Sequence, residues 1–157
     1  MGYVFMKYCL DSCVFIEAWN KHYSPEISMD FWDWLANLAK NKEIFIPEEV
    51  YEEIVVQKDK LYEWVKSIKT DIVYQLDYET QQAVNNIMTK PEAIKLADSN
   101  TKNGADVFVV AYAKRNNATV VSNDKSIGNL CKVCDVKILK DYEFLKAKKL
   151  RMKVSLE

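Results

Sequence analysis

Turn-forming and flexible residues are scarce in this sequence of 157 residues, which contains three glycines and three prolines. Neither type is concentrated in one stretch, so the sequence offers no linker and no low-complexity segment. The longest apolar run, Val107 to Ala113, is far shorter than the roughly 18 to 20 residues that a membrane span needs. The N-terminus also lacks the ordered regions of a signal peptide. We therefore expect neither a collagen-like, disordered or repeat protein nor a membrane protein, and predict a location in the cytoplasm.

The chain has little charge of either sign in excess, because 22 basic residues face 23 acidic ones and leave a net charge of -1. No global positive field therefore indicates a nucleic-acid partner. Hydrophobic residues make up 49% and charged residues 29%, which predicts one packed domain over residues 1–157. The terminal Leu156 and Glu157 are expected to derive from a cloning vector. Acids concentrate between Glu43 and Glu63 and basic residues between Lys140 and Lys153, a pattern typical of solvated faces.

The four cysteines are predicted to be reduced, because a chain this rich in apolar residues does not need disulfides to fold. A zinc site built from Cys9, Cys13, Cys131 and Cys134 is an alternative, as is a redox role for the last two. Buried free thiols are the favoured interpretation.

Strand-like and helix-like segments alternate along the chain. The predicted strands are Tyr3 to Leu10, Glu43 to Ile46, Ile72 to Leu76 at an edge, Ala118 to Ser122, and Val136 to Leu139. The predicted helices begin at Ser12, at Ser28, at Pro47 as the first helical residue, at Asp59, after Asp77, at Pro91 and at Ala105, and a helical turn covers Ile127 to Leu130. This order predicts an α/β fold with a central, mostly parallel sheet of four to five strands between two helical layers.

Four acids fall where such a sheet collects ligands, beyond the carboxyl ends of its strands. Asp11 closes the first strand, Glu53 lies in the helix after the second, Asp106 begins an apolar helix, and Asp124 follows the fourth strand. Four carboxylates in one cleft repel one another unless cations lie among them. Ligands that are all oxygen favour Mg²⁺ or Mn²⁺, with a phosphate ester as substrate. The sequence therefore predicts a metal-dependent hydrolase that acts by in-line displacement.

Four segments in this order resemble the PIN-domain nucleases: D11-S-C-V-F-I, P47-E-E-V-Y-E53-I, A105-D106-V-F-V-V-A-Y-A and T119-V-V-S-N-D124. The matching region runs from Lys7 to about Leu145. The proteins that it resembles include the VapC-type toxin ribonucleases and their bacterial and archaeal relatives. It implies a three-layer PIN-like fold and an endoribonuclease that leaves a 5′-phosphate and a 3′-hydroxyl. It also implies a small antitoxin protein as partner.

The resemblance assigns roles to single residues. Asp11, Glu53, Asp106 and Asp124 match the metal-binding acids, and Ser122 matches a hydroxyl that orients a carboxylate or a water molecule. Glu52 is an alternative to its neighbour Glu53, which the P-x-x-V-x-x-E spacing favours. The chain departs from the family at Cys13, where members often carry Asn or Ser, and a thiol is a poor hydrogen-bond donor.

Contacts with RNA are expected from cations beside these acids. Lys125 is the best candidate for a phosphate contact, and Lys114, Arg115 and the stretch Lys146 to Lys153 are more distant ones. The tryptophans at 19, 32, 34 and 64 either stack on bases or, more commonly for helical spacing, pack in the core. His22 is predicted to be a solvent-exposed loop residue and not a ligand. Aromatic surface in Met29 to Leu38 indicates a homodimer.

Three other functions fit parts of this pattern. The chain could be a PIN-like RNA-binding or regulatory module with weak or lost catalysis, although all four acids are present. It could cleave DNA, although it lacks the long helical insertion of structure-specific 5′ nucleases. A phosphotransferase or phosphatase working through an aspartyl phosphate at Asp11 is disfavoured, because Cys13 replaces the usual second aspartate.

Overall fold

The computed structural model describes residues 6–56, 58–99 and 105–148. Its strands are β1 (Tyr8–Leu10), β2 (Ile44–Pro47), β3 (Val73–Tyr74), β4 (Thr119–Val121) and β5 (Ile138–Leu139). Its helices are α1 (Ser12–Glu17), α2 (Met29–Lys40), α3 (Glu48–Val55), α4 (Lys60–Ser67), α5 (Lys69–Ile72), α6 (Tyr78–Ile87), α7 (Pro91–Ser99), α8 (Ala105–Arg115), α9 (Lys125–Val133) and α10 (Asp141–Ala147). A π-helical segment, Ala18–His22, continues α1.

The five strands form one parallel sheet in the order β3-β2-β1-β4-β5. In the central strand, Tyr8 pairs with Ile44 on one side and with Thr119 on the other. Every residue of β1, β2 and β4 is buried, whereas β3 and β5 at the edges are half-buried. The inner strands are continuous apolar runs in the sequence because helices cover both of their faces. The predicted α/β fold is confirmed.

Alternate side chains of β1 identify the two helical layers, because successive residues of a strand point to opposite faces. The Cys9 thiol lies 3.7 Å from the carbonyl oxygen of Val109 in α8. The ring of Tyr8 packs on the other face against Phe144 of α10, and Trp34 of α2 contacts the same phenylalanine. The sheet is thus enclosed between α8 on one face and α2 with α10 on the other.

An aromatic cluster fills the layer that contains α2. Trp32 is fully buried, with its ring centroid 4.7 Å from that of Trp19 and 4.8 Å from that of Trp64. Its indole nitrogen donates a hydrogen bond of 2.6 Å to the carbonyl oxygen of Tyr23. Trp34 is half-buried in the same layer. Core packing, the commoner of the two predicted roles for tryptophan, is therefore what these rings show.

The order of the strands reverses at β1, because the chain places β2 on one side of it and β4 on the other. In parallel sheets, such a reversal opens a crevice at the carboxyl ends of the two diverging strands. The backbone of Asp11 still belongs to this junction, since its N–H donates to the carbonyl oxygen of Val121 at 3.1 Å. Residues that follow β1 and β4 therefore meet at one place.

Four local predictions need correction. Pro47 is the last residue of β2 and the N-cap of α3, not the first helical residue, because its extended ψ of 152° keeps it in the strand. The predicted turn at Ile127 to Leu130 is part of the longer α9, which Asp124 caps. The helix after Ser12 becomes π-helical at Ala18. The described part of the first strand begins at Tyr8, and residues 3–5 of the predicted strand lie outside the described residues.

None of the helices within the described ranges has the length and apolarity required to cross a membrane.

The four cysteines are free thiols, and Cys9, Cys131 and Cys134 are buried. Burial raises the pKa of the Cys131 thiol to about 12, so this side chain remains a protonated, apolar-like group at neutral pH.

Candidate metal and active site

Asp11 directly follows β1, where the strand order reverses, and is almost completely buried. It caps α1, because its Oδ1 atom accepts a hydrogen bond of 2.8 Å from the backbone N–H of Ser12. Its Oδ2 atom accepts hydrogen bonds from the hydroxyl of Ser122 at 2.9 Å and from the thiol of Cys13 at 3.4 Å. Three donors, one of them the first backbone N–H of α1, thus hold this carboxylate in a fixed orientation.

Ser122 joins the two acids that follow the diverging strands. Its buried hydroxyl donates to Asp11 and also accepts a hydrogen bond of 3.1 Å from the backbone N–H of Asp124. Asp124 in turn caps α9, where its Oδ1 atom accepts from the N–H groups of Ser126 at 2.7 Å and Ile127 at 3.4 Å. Among the described residues, no hydrogen-bond donor contacts the second oxygen of Asp124. This contact of Ser122 is the geometry expected of a residue that orients a carboxylate.

Glu53 reaches the same place from α3. Its Oε2 atom accepts a hydrogen bond of 2.8 Å from the hydroxyl of Ser12, which is the first residue of α1. The neighbouring Glu52 is exposed on the outer side of the helix. The geometry therefore favours Glu53 in the ambiguity between the two residues.

Ser12 itself is a site residue that the sequence analysis missed. A hydroxyl directly after the first aspartate was the available signal, because the first turn of a helix beginning at a strand end points into the crevice.

Asp106, in the first turn of α8, is the least compensated of the four acids. Only 4% of its surface is exposed, and its Oδ2 atom is buried without a hydrogen-bond partner among the described residues. Burial, followed by the charges of Asp11, Asp124 and Glu53, raises the pKa of Asp106 to about 7. A buried carboxylate with an unpaired oxygen is costly unless a cation pairs with it, so this group fits a bound cation.

The other acids show the same crowding. Burial raises the pKa of Asp11 against the lowering effect of its hydrogen bonds, and the charge of Asp124 raises it as well. Burial likewise raises the pKa of Glu53, and the charge of Asp11 adds to the effect. Ser122 contacts both Asp11 and Asp124, and Ser12 contacts both Asp11 and Glu53. The charges of these three acids also act on Asp106. The structure therefore brings the four predicted acids together in one group, here called the acid pocket and defined by Asp11, Glu53, Asp106 and Asp124.

These side chains fit a hydrated divalent ion. All four offer carboxylate oxygens, the ligand type that Mg²⁺ and Mn²⁺ prefer, and the unpartnered Oδ2 atom of Asp106 is a free ligand atom. Among the described residues, no three of the acids bring one oxygen each to within 4.8 Å of one another. The acid pocket is thus wider than a closed cage around a single bare ion, and it suits Mg²⁺, which keeps several of its water molecules.

The remaining predicted residues lie around the acid pocket. Cys13 is half-buried, and burial, followed by the charge of Asp11, raises the pKa of its thiol to about 12, so it donates to Asp11 as a neutral group. Lys125 begins α9 directly after Asp124 and is exposed. Lys114 and Arg115 lie at the opposite end of α8 from Asp106, where Lys114 donates a hydrogen bond to the carbonyl oxygen of Cys134 at 2.7 Å. Of the basic stretch, residues 149–153 lie outside the described residues.

Comparison with known proteins gives one family match. The family described as "Domain of unknown function (DUF4411)" matches residues 8–152. No curated protein matches the sequence.

Solved structures share the fold. VapBC2 from Rickettsia felis, bound to a DNA fragment from its promoter, is 22% identical with a TM-score of 0.54, and the match covers 86% of this chain and 98% of that one. VapBC-1 from nontypeable Haemophilus influenzae is 14% identical with a TM-score of 0.56, covering 87% and 99%. FitAcB from Neisseria gonorrhoeae is 19% identical with a TM-score of 0.51, covering 86% and 98%. The PIN-like fold predicted from the sequence is confirmed.

Proposed function

The chain belongs to the DUF4411 family, and on that premise we propose that it is a Mg²⁺- or Mn²⁺-dependent endoribonuclease, the toxin of a toxin–antitoxin pair. The observation that carries the proposal is the buried, unpartnered oxygen of Asp106 among three further acids. Solved structures of toxin–antitoxin complexes with the same fold, VapBC and FitAcB, support it.

The four acids would hold the metal ions. When bound, Mg²⁺ or Mn²⁺ supplies a lowered pKa for a bound water molecule and positive charge at the scissile phosphate. The Oδ2 atom of Asp106 and the second oxygen of Asp124 are among the ligand atoms that no protein donor occupies in the described residues. Asp11 is the fixed ligand, because its orientation is set by α1, Ser122 and Cys13.

The two serines position the acids and do not contact the reacting groups. Ser122 keeps Asp11 and Asp124 in register with each other, and Ser12 turns Glu53 toward Asp11. Such indirect partners fix the direction of a ligand's lone pairs, and their loss typically weakens metal binding or activity by about 10- to 100-fold.

Flanking cations would hold the RNA backbone. Lys125 is exposed and adjacent to Asp124, so its ammonium group can contact a phosphate next to the cleaved bond. The partner would be a small antitoxin protein that covers the acid pocket, and residues 1–157 would form one domain acting in the cytoplasm. A homodimer remains a prediction, and the aromatic side chains of α2 pack within the chain.

The decisive experiment compares Glu53→Gln with Glu52→Gln in a cleavage assay on single-stranded RNA and on DNA of the same sequence. The metal-free protein is assayed with and without added Mn²⁺. We expect cleavage of RNA by the parent and by Glu52→Gln, and a loss of roughly 100-fold or more in Glu53→Gln. Both variants replace a carboxylate by an amide at neighbouring positions of α3 and remove one negative charge, so a difference in net charge does not explain the result.

Other outcomes assign other functions. RNA binding without cleavage by any variant supports a regulatory module, and cleavage of DNA alone supports a DNA-directed nuclease. Equal activity of Glu52→Gln and Glu53→Gln would contradict the assigned acid pocket.

A further inference from the structure

A second group of metal-ligand side chains lies outside the acid pocket. Glu17 ends α1, His22 ends the π-helical segment, and Asp141 begins α10. One ligand atom from each lies within 4.8 Å of the other two. We propose that these three side chains form a second metal site that takes a divalent transition ion such as Zn²⁺.

The spacing of the three side chains supports an ion between them. Within the described part of the chain, no hydrogen bond or ion pair joins His22 to Glu17 or to Asp141, so the imidazole is not simply paired with an acid. Two ligands about 2.1 Å from a tetrahedral ion lie about 3.4 Å apart. Small rotations of half-buried and exposed side chains therefore bring the three atoms to that distance. The three ligand atoms are too far apart for hydrogen bonds between the side chains and close enough for all three to coordinate one ion.

The donor set selects a different metal from that of the acid pocket. One imidazole nitrogen with two carboxylate oxygens suits Zn²⁺ and related ions, whereas carboxylates alone suit Mg²⁺ and Mn²⁺. The imidazole also distinguishes this group from an ordinary patch of surface acids. Three protein ligands leave a fourth position open to water or to a ligand phosphate.

Neighbouring groups already orient the two carboxylates. The side-chain amide of Asn123 donates to Glu17 Oε2 at 3.4 Å, and its carbonyl oxygen accepts from the backbone N–H of Asp141 at 3.1 Å. Asp141 Oδ1 accepts from the N–H of Tyr142 at 2.7 Å, which leaves Oδ2 to face other partners. Because Asn123 directly precedes Asp124, the proposed site borders the acid pocket. An ion there would tie α1 and its π-helical extension to α10.

The experiment uses the fact that the sequence contains one histidine. The ring nitrogens of His22 therefore give a single set of NMR signals, and Zn²⁺ titrated into metal-free protein is expected to shift them in a saturable way. Asp141→Asn and Glu17→Gln should each weaken this binding by at least roughly tenfold. His22→Gln should lose one equivalent of bound Zn²⁺ in calorimetric titration, whereas Asp59→Asn, which retains a capping side chain at the start of α4, should not.

The test separates this site from the acid pocket and from the cysteines. Asp106→Asn should keep the Zn²⁺-dependent shift of His22, and binding of Zn²⁺ to thiols would not move the imidazole signals by coordination. Signals of His22 that stay unchanged at saturating Zn²⁺ would overturn the proposal. So would equal affinities in the parent, Glu17→Gln and Asp141→Asn. Neither result depends on whether the chain cleaves RNA.

Discussion

Replacement of Asp106 by Asn should stabilise the metal-free protein. The side chain is 4% exposed, and its Oδ2 atom has no hydrogen-bond partner among the described residues. The substitution removes the charge and keeps the shape. The new amide group can also donate to the carboxylates of Asp11, Asp124 or Glu53, whose charges act on this position. Repulsion is thereby replaced by attraction inside the same pocket.

The magnitude follows from the pKa of Asp106, which rises from 3.8 to about 7 on folding. Each unit corresponds to about 1.4 kcal/mol, so the charged side chain lowers the free energy of unfolding by about 4 kcal/mol above pH 7. For a raised acid pKa, the folded state binds the proton more tightly, so the full stability is present below pH 4 and is lost as the pH rises through about 7. The advantage of Asp106→Asn should therefore be largest at pH 8 and disappear near pH 4.

Thermal unfolding in the presence of a chelator measures this effect. A gain of a few kcal/mol in a chain of this size raises Tm by roughly 10 °C. Saturating Mn²⁺ should remove most of this difference, because at about 100 times Kd an ion that binds only the folded state stabilises it by about 2.7 kcal/mol. The parent gains this increment and Asp106→Asn does not. If the Tm of Asp106→Asn at pH 8 without metal is equal to or below that of the parent, Asp106 does not carry an uncompensated charge and the reasoning is refuted.

The remaining predictions concern the side chains that support the acid pocket and the core. Ser122→Ala should lower the free energy of unfolding by about 2 kcal/mol, because Asp11 loses a buried donor; unchanged urea unfolding would contradict this. Ser12→Ala should reduce cleavage by about 10- to 100-fold, and Ser12→Thr should retain most of it, since only the first removes the hydroxyl bound to Glu53. Equal cleavage rates of the two variants in a single-turnover assay would contradict this. Trp32→Ala should destabilise the chain by about 3 to 5 kcal/mol in chemical denaturation, because it empties a fully buried site.

The alternation of strands and helices was predictable because the sequence marks most elements twice, by an apolar pattern and by the residue at the end. The inner strands are apolar along their whole length, and helices begin at Asp59 and Asp77, whose side chains accept hydrogen bonds from Tyr62 and Thr80. Local and tertiary preferences agree at these positions. Asp11 and Asp124 were predictable because each follows a recognisable strand, and Asp106 because it begins a recognisable helix, whereas the choice of Glu53 rested on the P-x-x-V-x-x-E spacing of the resemblance.

The hydrogen bonds of the Ser12 and Ser122 hydroxyls were not fully predictable, because they depend on which side chains meet across elements far apart in sequence. Ser12 reaches Glu53 across 41 positions, and no periodicity encodes that contact. The π-helical segment was likewise unpredicted, since one residue more per turn leaves no clear mark on an apolar pattern. It changes where His22 lies, which is why the sequence alone placed that residue in a loop. Helix α10 was not predicted, because the basic residues around it obscure its apolar pattern.

The hydrogen bonds divide the four acids into three that are held and one that is not. Asp11 accepts hydrogen bonds from Ser122 and from the N-terminus of α1. One oxygen of Asp124 accepts from the N-terminus of α9, and one oxygen of Glu53 accepts from Ser12. None of these donors contacts Asp106 among the described residues. Protein donors therefore preorganise three acids of the acid pocket, and Asp106 is the one whose pairing depends most on a bound cation. Substitution of Asp106 thus tests the metal site with the least disturbance of the hydrogen bonds that shape it.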